Sequence, residues 1–155
     1  MATVKPKTGY QFHITGDCLS HSRTDISVRD VETTTDEPVE RDGTHMGLSP
    51  VETVMAALLG CTNVIGHKCA HKHGVEITAM SVDADVTFDR RGAALMEEID
   101  VPFPEIVLNI SLTTTADDDA AVEKMKTDLG RFCPVSKALR AGGTKITENW
   151  TVTKG

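Results

Sequence analysis

The stretch that decides the fold is residues 49–66, SPVETVMAALLGCTNVIG. It opens with a capping box, in which a serine N-cap is followed by a proline in the first helical position and by a glutamate three residues after the cap. No charge occurs over residues 53–66, and apolar residues lie on nearly every side of the predicted helix. A helix of this kind is typically buried at the centre of a protein. We therefore predict a central helix over about residues 50–73, with Gly74 as its C-cap.

Strand patterns precede this helix. Apolar and polar residues alternate over residues 10–15 and again over residues 23–28, with a Gly-Asp turn signal between them. These patterns predict an N-terminal hairpin within about residues 8–35. Residues 36–48 are polar and contain proline and glycine, which predicts a loop that leads into the helix.

The C-terminal part of the chain, residues 75–155, mixes strand and helix patterns. Alternation predicts one long or two bent strands over residues 75–89, and further strands over residues 106–112 and 145–153. Apolar residues at helical spacing predict helices over residues 117–132 and 135–140. Together with the hairpin, this order predicts an α+β fold in which an antiparallel sheet packs on the central helix.

The central helix also leads to a prediction about assembly. One sheet face cannot cover a helix that is apolar all round, and 155 residues leave little chain for a second layer. The remaining cover has to come from a second copy of the chain. We therefore expect an obligate homodimer.

The composition is that of one ordinary globular domain, residues 1–155, with 39% hydrophobic and 25% charged residues. The net charge is −7 and aromatic residues make up 4%, which disfavours binding to nucleic acid or to an anionic membrane surface. The most apolar run, residues 54–61, has about a third of the length that a membrane span needs. The N-terminal residues lack an apolar signal segment, so we expect a cytoplasmic protein.

Two of the four cysteines stand at informative positions. Cys61 lies in the apolar helix, where an inert core thiol is the ordinary interpretation. Cys133 precedes Pro134 at a predicted helix start, where backbone N–H groups and the helix dipole favour a thiolate; a fortuitous N-cap is the alternative. The pair is 72 residues apart, which fits neither a CxxC redox motif nor a zinc knuckle. We interpret Cys18, in a predicted turn, and Cys69 as bystanders.

Two motifs resemble those of the OsmC/Ohr family of osmotically inducible and organic hydroperoxide resistance proteins. Residues 47–62, GLSPVETVMAALLGCT, are similar to the family pattern of a glycine, a proline, an acidic residue, a Leu/Ala-rich helix and a cysteine. Residues 133–136, CPVS, match its Cys-Pro-x-Ser motif, and residues 36–38, DEP, resemble many members. Order and spacing agree over about residues 10–153. The resemblance implies an intertwined homodimer in which curved antiparallel sheets wrap two long central helices.

The resemblance also implies thiol-based reduction of organic hydroperoxides or hydrogen peroxide in oxidative stress defence. Cys61 would be the peroxidatic thiolate that becomes a sulfenic acid, and Cys133 would resolve it as a disulfide. A dithiol, lipoyl-linked in the organic-peroxide branch of the family, would then reduce the pair. Neither a metal nor an organic cofactor is implied. In this interpretation the apolar helix around Cys61 shapes a pocket for an alkyl hydroperoxide.

Burial alone raises the pKa of a thiol, so this chemistry needs a cation beside Cys61. The family uses an arginine from the N-terminal hairpin or the adjacent loop, steadied by a carboxylate. Arg23, at the start of the second predicted strand, is the best placed, and Arg29 and Arg41 are its rivals. For all three, a solvated surface arginine is the ordinary alternative.

The steadying carboxylate is where the sequence departs from the family pattern. The functional glutamate of the peroxidases lies ten residues before the first cysteine, a position that is Val51 here. Glu52 lies nine residues before Cys61 and matches the broader OsmC-like branch. Because one residue turns a helix by about 100°, the two positions face different directions. Glu52 therefore either orients the arginine or only completes the capping box.

Two other functions stay open at this point. One is a non-enzymatic dimer, or a stress protein with vestigial peroxidase activity, whose thiols line a pocket for a small apolar ligand. The other is a metal site at the far end of the central helix, where His67 and His71 share one helical face and Cys69 and His73 complete a cluster. The same residues, interleaved with lysines, are alternatively a solvated cationic helix end.

Overall fold

The computed structural model of the protein describes residues 8–155. They divide into a first unit that ends at Val54 and a second unit that begins at Met55, and helix α1, Pro50–His73, belongs in part to each.

The N-terminal sheet has three antiparallel strands, in the order β1 (Thr15–Cys18), β2 (Thr24–Val28) and β3 (Val31–Thr35). The predicted two-stranded hairpin is therefore wrong in its strand count, and residues 10–14 precede the first strand instead of forming it. The chain reverses after β2 in a two-residue turn, in which Arg29 adopts the left-handed conformation with φ 59°. This tight turn brings the short run after it into register with β2 as a third strand.

One buried carboxylate organises the loop over residues 36–48. Asp36 accepts hydrogen bonds from the Thr44 hydroxyl and from the backbone N–H groups of Glu37, Thr44 and Met46, the last three at 2.9 to 3.1 Å. These bonds, with that from the Thr44 hydroxyl the largest contribution, hold the pKa of Asp36 far below its usual range. A turn of 3-10 helix, Val39–Arg41, lies within the same loop. Hydrogen bonds to a single side chain thus fix the segment that enters α1.

Helix α1 ends where Gly74 enters the left-handed region with φ 68°. Its buried residues share one side of the helix: Met55, Leu58, Thr62, Gly66, Cys69 and Ala70. The helix is also apolar outside this stripe, and Val64 is 52% exposed. Within residues 8–155, the chain therefore buries α1 along one side. Neither this helix nor another within residues 8–155 is apolar over enough of its length to span a bilayer.

The sheet of the second unit contains strands β4 (Ile77–Thr87), β5 (Glu105–Thr114) and β6 (Lys145–Lys154), in that order. Strands β4 and β5 are antiparallel, but β5 and β6 are parallel, so the prediction of an antiparallel sheet is wrong for β6. Helices α2 (Asp119–Phe132) and α3 (Pro134–Ala141) form the connection between β5 and β6. A connection of that length returns the chain to the end of the sheet where β5 began, which makes the next strand parallel.

The core of the second unit follows from the period of β5. The inward residues of that strand alternate along it and are each at most 1% exposed: Ile106, Leu108, Ile110 and Leu112. Most of this row packs in one cluster with Leu58 of α1 and Leu129 of α2. A second cluster surrounds Met125 and extends to Cys69 at the far end of α1. Burial of each such side chain contributes about 1.5–3 kcal/mol, so these contacts stabilise α1 against the sheet.

Candidate active site

The first candidate residue, Cys61, lies near the middle of α1. Its side chain is half-buried and packs against the apolar cluster that contains Leu58 and Cys133. The position combines partial access with apolar surroundings. It therefore differs from an inert core thiol such as Cys69, which is 4% exposed and whose pKa is raised by burial.

Cys133 occupies the junction between two helices. Its N–H donates to the Leu129 carbonyl at the end of α2, and its carbonyl accepts from the Lys137 N–H in the first turn of α3, both at 3.0 Å. Pro134 fits the first position of α3, where the missing N–H has no helical partner to lose. These bonds fix the backbone on both sides of a thiol that is 1% exposed.

The structure brings the two thiols together. Cys61 packs against the apolar cluster to which the buried Cys133 belongs, and it is among the neighbours that raise the pKa of Cys133, although the two cysteines are 72 residues apart in the chain. The sequence spacing alone did not show whether the two cysteines lie in one cluster.

The buried position of Cys133 favours the protonated form of its thiol. Burial raises the pKa of Cys133 to about 11, and contact with Cys61 acts in the same direction. The backbone N–H groups of Ser136 and Val135 at the start of α3 favour the thiolate but do not outweigh burial. The helix start thus favours the thiolate of Cys133 as expected, but burial is the larger effect.

The candidate arginine Arg23 is held by a carboxylate in the N-terminal unit. Its Nε and Nη2 atoms donate to the two oxygens of Asp25 at 3.0 and 2.9 Å, and this hydrogen bonding raises the pKa of Arg23 and lowers that of Asp25. Thr34 donates to the same carboxylate at 2.9 Å. Of the rivals, Arg41 donates to Glu37 at 2.6 Å, and Arg29 is exposed in the turn after β2. That one of the three activates Cys61 stays a prediction.

Glu52 completes the capping box. Its carboxylate accepts the Ser49 N–H at 2.8 Å, and its own N–H donates to the Ser49 hydroxyl at 3.3 Å. The hydrogen bond from the Ser49 N–H is the largest cause of the lowered pKa of Glu52, with smaller attractions to Arg41 and His45. These hydrogen bonds are those of a helix cap, which is one of the two roles proposed for Glu52.

The residues of the predicted metal cluster contact different groups and do not converge on one point. The Nδ1 atom of His67 lies 3.0 Å from the Asn63 carbonyl, and Nε2 of His73 lies 2.9 Å from the Asp128 carboxylate. Cys69 belongs to the core. Within residues 8–155 no three histidine, cysteine or acidic side chains come together as ligands. The metal-site alternative is therefore wrong in its geometry. Cys18 is exposed on β1, away from any of these contacts.

One group of residues beside Cys133 was missed by the sequence analysis. Arg140 donates from Nε to the Ser136 hydroxyl at 3.1 Å and from Nη2 to Glu148 at 3.4 Å. Two features of the sequence could have identified this group. Ser136 and Arg140 are four residues apart on a helix, and Glu148 interrupts the apolar side of the alternation in β6.

The family model and the solved structures that match the chain point to the same family fold. Residues 42–149 match the family model described as OsmC-like protein. The fold is similar to that of an OsmC-like protein from Mycoplasma pneumoniae, with a TM-score of 0.76, 16% identity, and coverage of 93% of this chain and 98% of that one. No curated protein sequence matches the chain significantly.

Structures of named hydroperoxide resistance proteins are also similar. An organic hydroperoxide resistance protein OsmC from Legionella pneumophila has a TM-score of 0.62 and 15% identity, with coverage of 95% of this chain and 99% of that one. The organic hydroperoxide resistance protein OhrB of Bacillus subtilis has a TM-score of 0.57 and 17% identity, with coverage of 93% and 98%. At these identities the structural matches establish the fold alone.

Proposed function

The chain belongs to the OsmC-like family, and we propose that it is a cysteine-based peroxidase that reduces organic hydroperoxides or hydrogen peroxide in oxidative stress defence. The observation that supports the proposal is that the half-buried Cys61 packs against the apolar cluster that contains the buried Cys133. The named hydroperoxide resistance proteins share the fold and support the proposal as distant relatives.

The proposed cycle starts with the half-buried thiol. The Cys61 thiolate attacks one oxygen of the hydroperoxide and breaks the O–O bond, so that sulfur is oxidised to the sulfenic acid and the other oxygen leaves as an alcohol or water. Cys133 then attacks the sulfenic sulfur. The S–S bond forms, the S–O bond breaks, and the hydroxyl leaves with the thiol proton as water. A dithiol, which we propose to be lipoyl-linked, exchanges with this disulfide and restores both thiols.

The raised pKa of Cys133 disfavours it as the nucleophile of the first step, and in the second step its proton leaves with the sulfenic hydroxyl as water. A protonated thiol is a poor nucleophile, so Cys133 does not compete with Cys61 for peroxide. We assign activation of Cys61 to Arg23, whose guanidinium is already oriented by Asp25. Glu52 contributes through the start of α1, which it caps. The proposal places the cycle in the cytoplasm, where thiols are kept reduced, and requires neither metal nor organic cofactor.

Cys133→Ser is expected to stop the cycle after its first step. One equivalent of hydroperoxide should convert Cys61 to a sulfenic acid that persists, because serine cannot form the disulfide. Dimedone labelling and mass spectrometry of the Cys61 peptide measure this species, which the wild-type protein should lose to the Cys61–Cys133 disulfide. Cys18→Ser, which removes an exposed thiol, serves as the control and should match the wild type. Absence of any dimedone adduct in Cys133→Ser, with peroxide still consumed, contradicts the assignment.

We further propose that the protein acts as a homodimer. On the side of α1 that its own chain leaves open, Ala57, Gly60 and Val64 are exposed. A second copy is the partner proposed for this apolar face. Light scattering should give twice the mass of one chain, and Val64→Asp should reduce it to that of one chain. Thr127→Asp, on the exposed side of α2, should leave the mass unchanged. A wild-type mass of one chain contradicts the dimer.

One observation favours a second candidate function, a non-enzymatic dimer that binds a small apolar ligand. Val51 stands at the peroxidase glutamate position, and the Glu52 carboxylate is engaged by Ser49. In this case the thiols line a pocket without turning over peroxide. The effect of Cys61→Ser on peroxide consumption, described in the Discussion, separates the two functions.

A further inference from the structure

Glu148 is a carboxylate on the inward side of a strand. On β6 it shares that side with Ile146, Trp150 and Val152, and it lies opposite the buried Leu108 of β5. Its side chain is 16% exposed. Because an inward-facing charge costs free energy unless it is paired and hydrogen-bonded, this position requires specific partners.

Both oxygens of Glu148 have such partners. Oε1 accepts from Nη2 of Arg140 at 3.4 Å, and Oε2 accepts from the indole Nε1 of Trp150 at 3.3 Å. The Nε atom of Arg140 donates in turn to the Ser136 hydroxyl at 3.1 Å. The guanidinium therefore connects the first turn of α3 to the inward face of β6. We call this chain of contacts, Ser136–Arg140–Glu148–Trp150, the α3 anchor.

The α3 anchor reaches the resolving thiol through Ser136. This serine is 3% exposed, and its backbone N–H group favours the thiolate form of Cys133. Helix α3 has only eight residues, too few to be stable by themselves. The position of the Cys133 sulfur therefore depends on what holds α3 to the rest of the unit.

We propose that Arg140 is a positioning residue for disulfide formation, which holds the first turn of α3 so that Cys133 meets the oxidised Cys61. The inference rests on the proposed peroxidase cycle and names a residue for its second step. In that step the Cys133 sulfur bonds to the sulfenic sulfur of Cys61, the S–O bond breaks, and water leaves. Disulfide geometry is strict, with about 2.05 Å between the sulfurs, so a displacement of α3 affects this step before any other. The first step, attack of Cys61 on the peroxide, does not use α3.

The test compares Arg140→Leu with Lys137→Leu, which removes a positive charge from an exposed position on the same helix. After one equivalent of cumene hydroperoxide, rapid quenching measures the rates of Cys61 sulfenic acid formation and of disulfide formation. In Arg140→Leu we expect the first rate to stay within about twofold and the second to fall roughly tenfold to a hundredfold, as for a misplaced reacting group. The yield of Cys61 sulfinic acid should rise, because the sulfenic acid persists longer and is exposed to further oxidation. Lys137→Leu should match the wild type.

A second measurement needs no peroxide. Ellman's reagent forms a mixed disulfide at Cys61 and releases one thionitrobenzoate; attack by Cys133 then closes the protein disulfide and releases a second one. In a Cys18→Ser background, Arg140→Leu should slow the second release about tenfold or more. Glu148→Gln, which keeps the shape of the side chain and removes its charge, should slow it less.

The outcomes separate the two proposals. Equal second-release rates in Arg140→Leu and Lys137→Leu overturn the positioning role, as does an equal slowing of both peroxide steps. A wild-type protein that closes the disulfide with Ellman's reagent but forms no sulfenic acid with peroxide overturns the proposed function. If Arg140→Leu does not fold, the rate of the second thionitrobenzoate release in Glu148→Gln tests the positioning role instead.

Discussion

Cys61→Ser is expected to abolish peroxide-dependent consumption of dithiol, with a loss of rate of roughly a thousandfold or more. A serine hydroxyl is almost entirely protonated at neutral pH, and its oxygen cannot be oxidised to the equivalent of a sulfenic acid. The substitution leaves Cys133 in the protein, but burial, the largest cause of its raised pKa, is still present and disfavours its thiolate. Cys133 is therefore unable to take over the role of nucleophile.

The measurement is the initial rate of dithiol oxidation with cumene hydroperoxide or hydrogen peroxide. Cys18→Ser is the control, because it removes an exposed thiol from β1. Undiminished turnover in Cys61→Ser excludes the peroxidase cycle. A wild-type protein with no turnover above that of Cys61→Ser favours the second candidate function, binding of a small apolar ligand.

Leu58→Ala is expected to lower the free energy of unfolding by about 3–5 kcal/mol. Leu58 is 0% exposed, and it packs in the main apolar cluster with Leu108 and Ile110 of β5. Truncation removes three buried carbons and leaves a cavity between α1 and the sheet. Since domains are stable by only about 5–15 kcal/mol, the substitution is severe.

Urea unfolding at one fixed protein concentration measures this loss, because the stability of the proposed dimer would depend on concentration. Leu95→Ala is the matched control. The same atoms are removed there, from a side chain that is 94% exposed, and we expect a change within about 0.5 kcal/mol. A similar loss in both variants contradicts the packing described for α1.

Local signals account for the parts of the fold that the sequence predicted. The start of α1 is a capping box, which involves only residues within one helical turn, and the hydrogen bonds between Ser49 and Glu52 are those that the motif describes. Strand β5 is visible because every second residue is apolar. The direction of β6 was not accessible in this way, since a strand shows the same alternation in a parallel and an antiparallel pair.

The candidate site was predictable only in its residue types. The sequence identified Cys61 by its place in the apolar helix and Cys133 by the proline after it, and family resemblance linked the two. Their contact depends on how α1 packs against the junction of α2 and α3. Burial also reverses the effect expected from the helix start at Cys133. Arg140 was missed because its partner Glu148 lies on β6, beyond the helix that carries it.

The sequence by itself thus determined that a long, largely apolar helix begins at a capping box and that two cysteines stand at informative positions. These properties depend on residues close together in the chain, whose hydrogen bonds and periodicity are local. Only the tertiary structure decided that Cys61 packs against the cluster that contains Cys133, that burial raises the pKa of Cys133 and that Arg140 joins α3 to β6. Each of these depends on distance, burial or charge between segments far apart in the chain, where sequence spacing carries no information about contact.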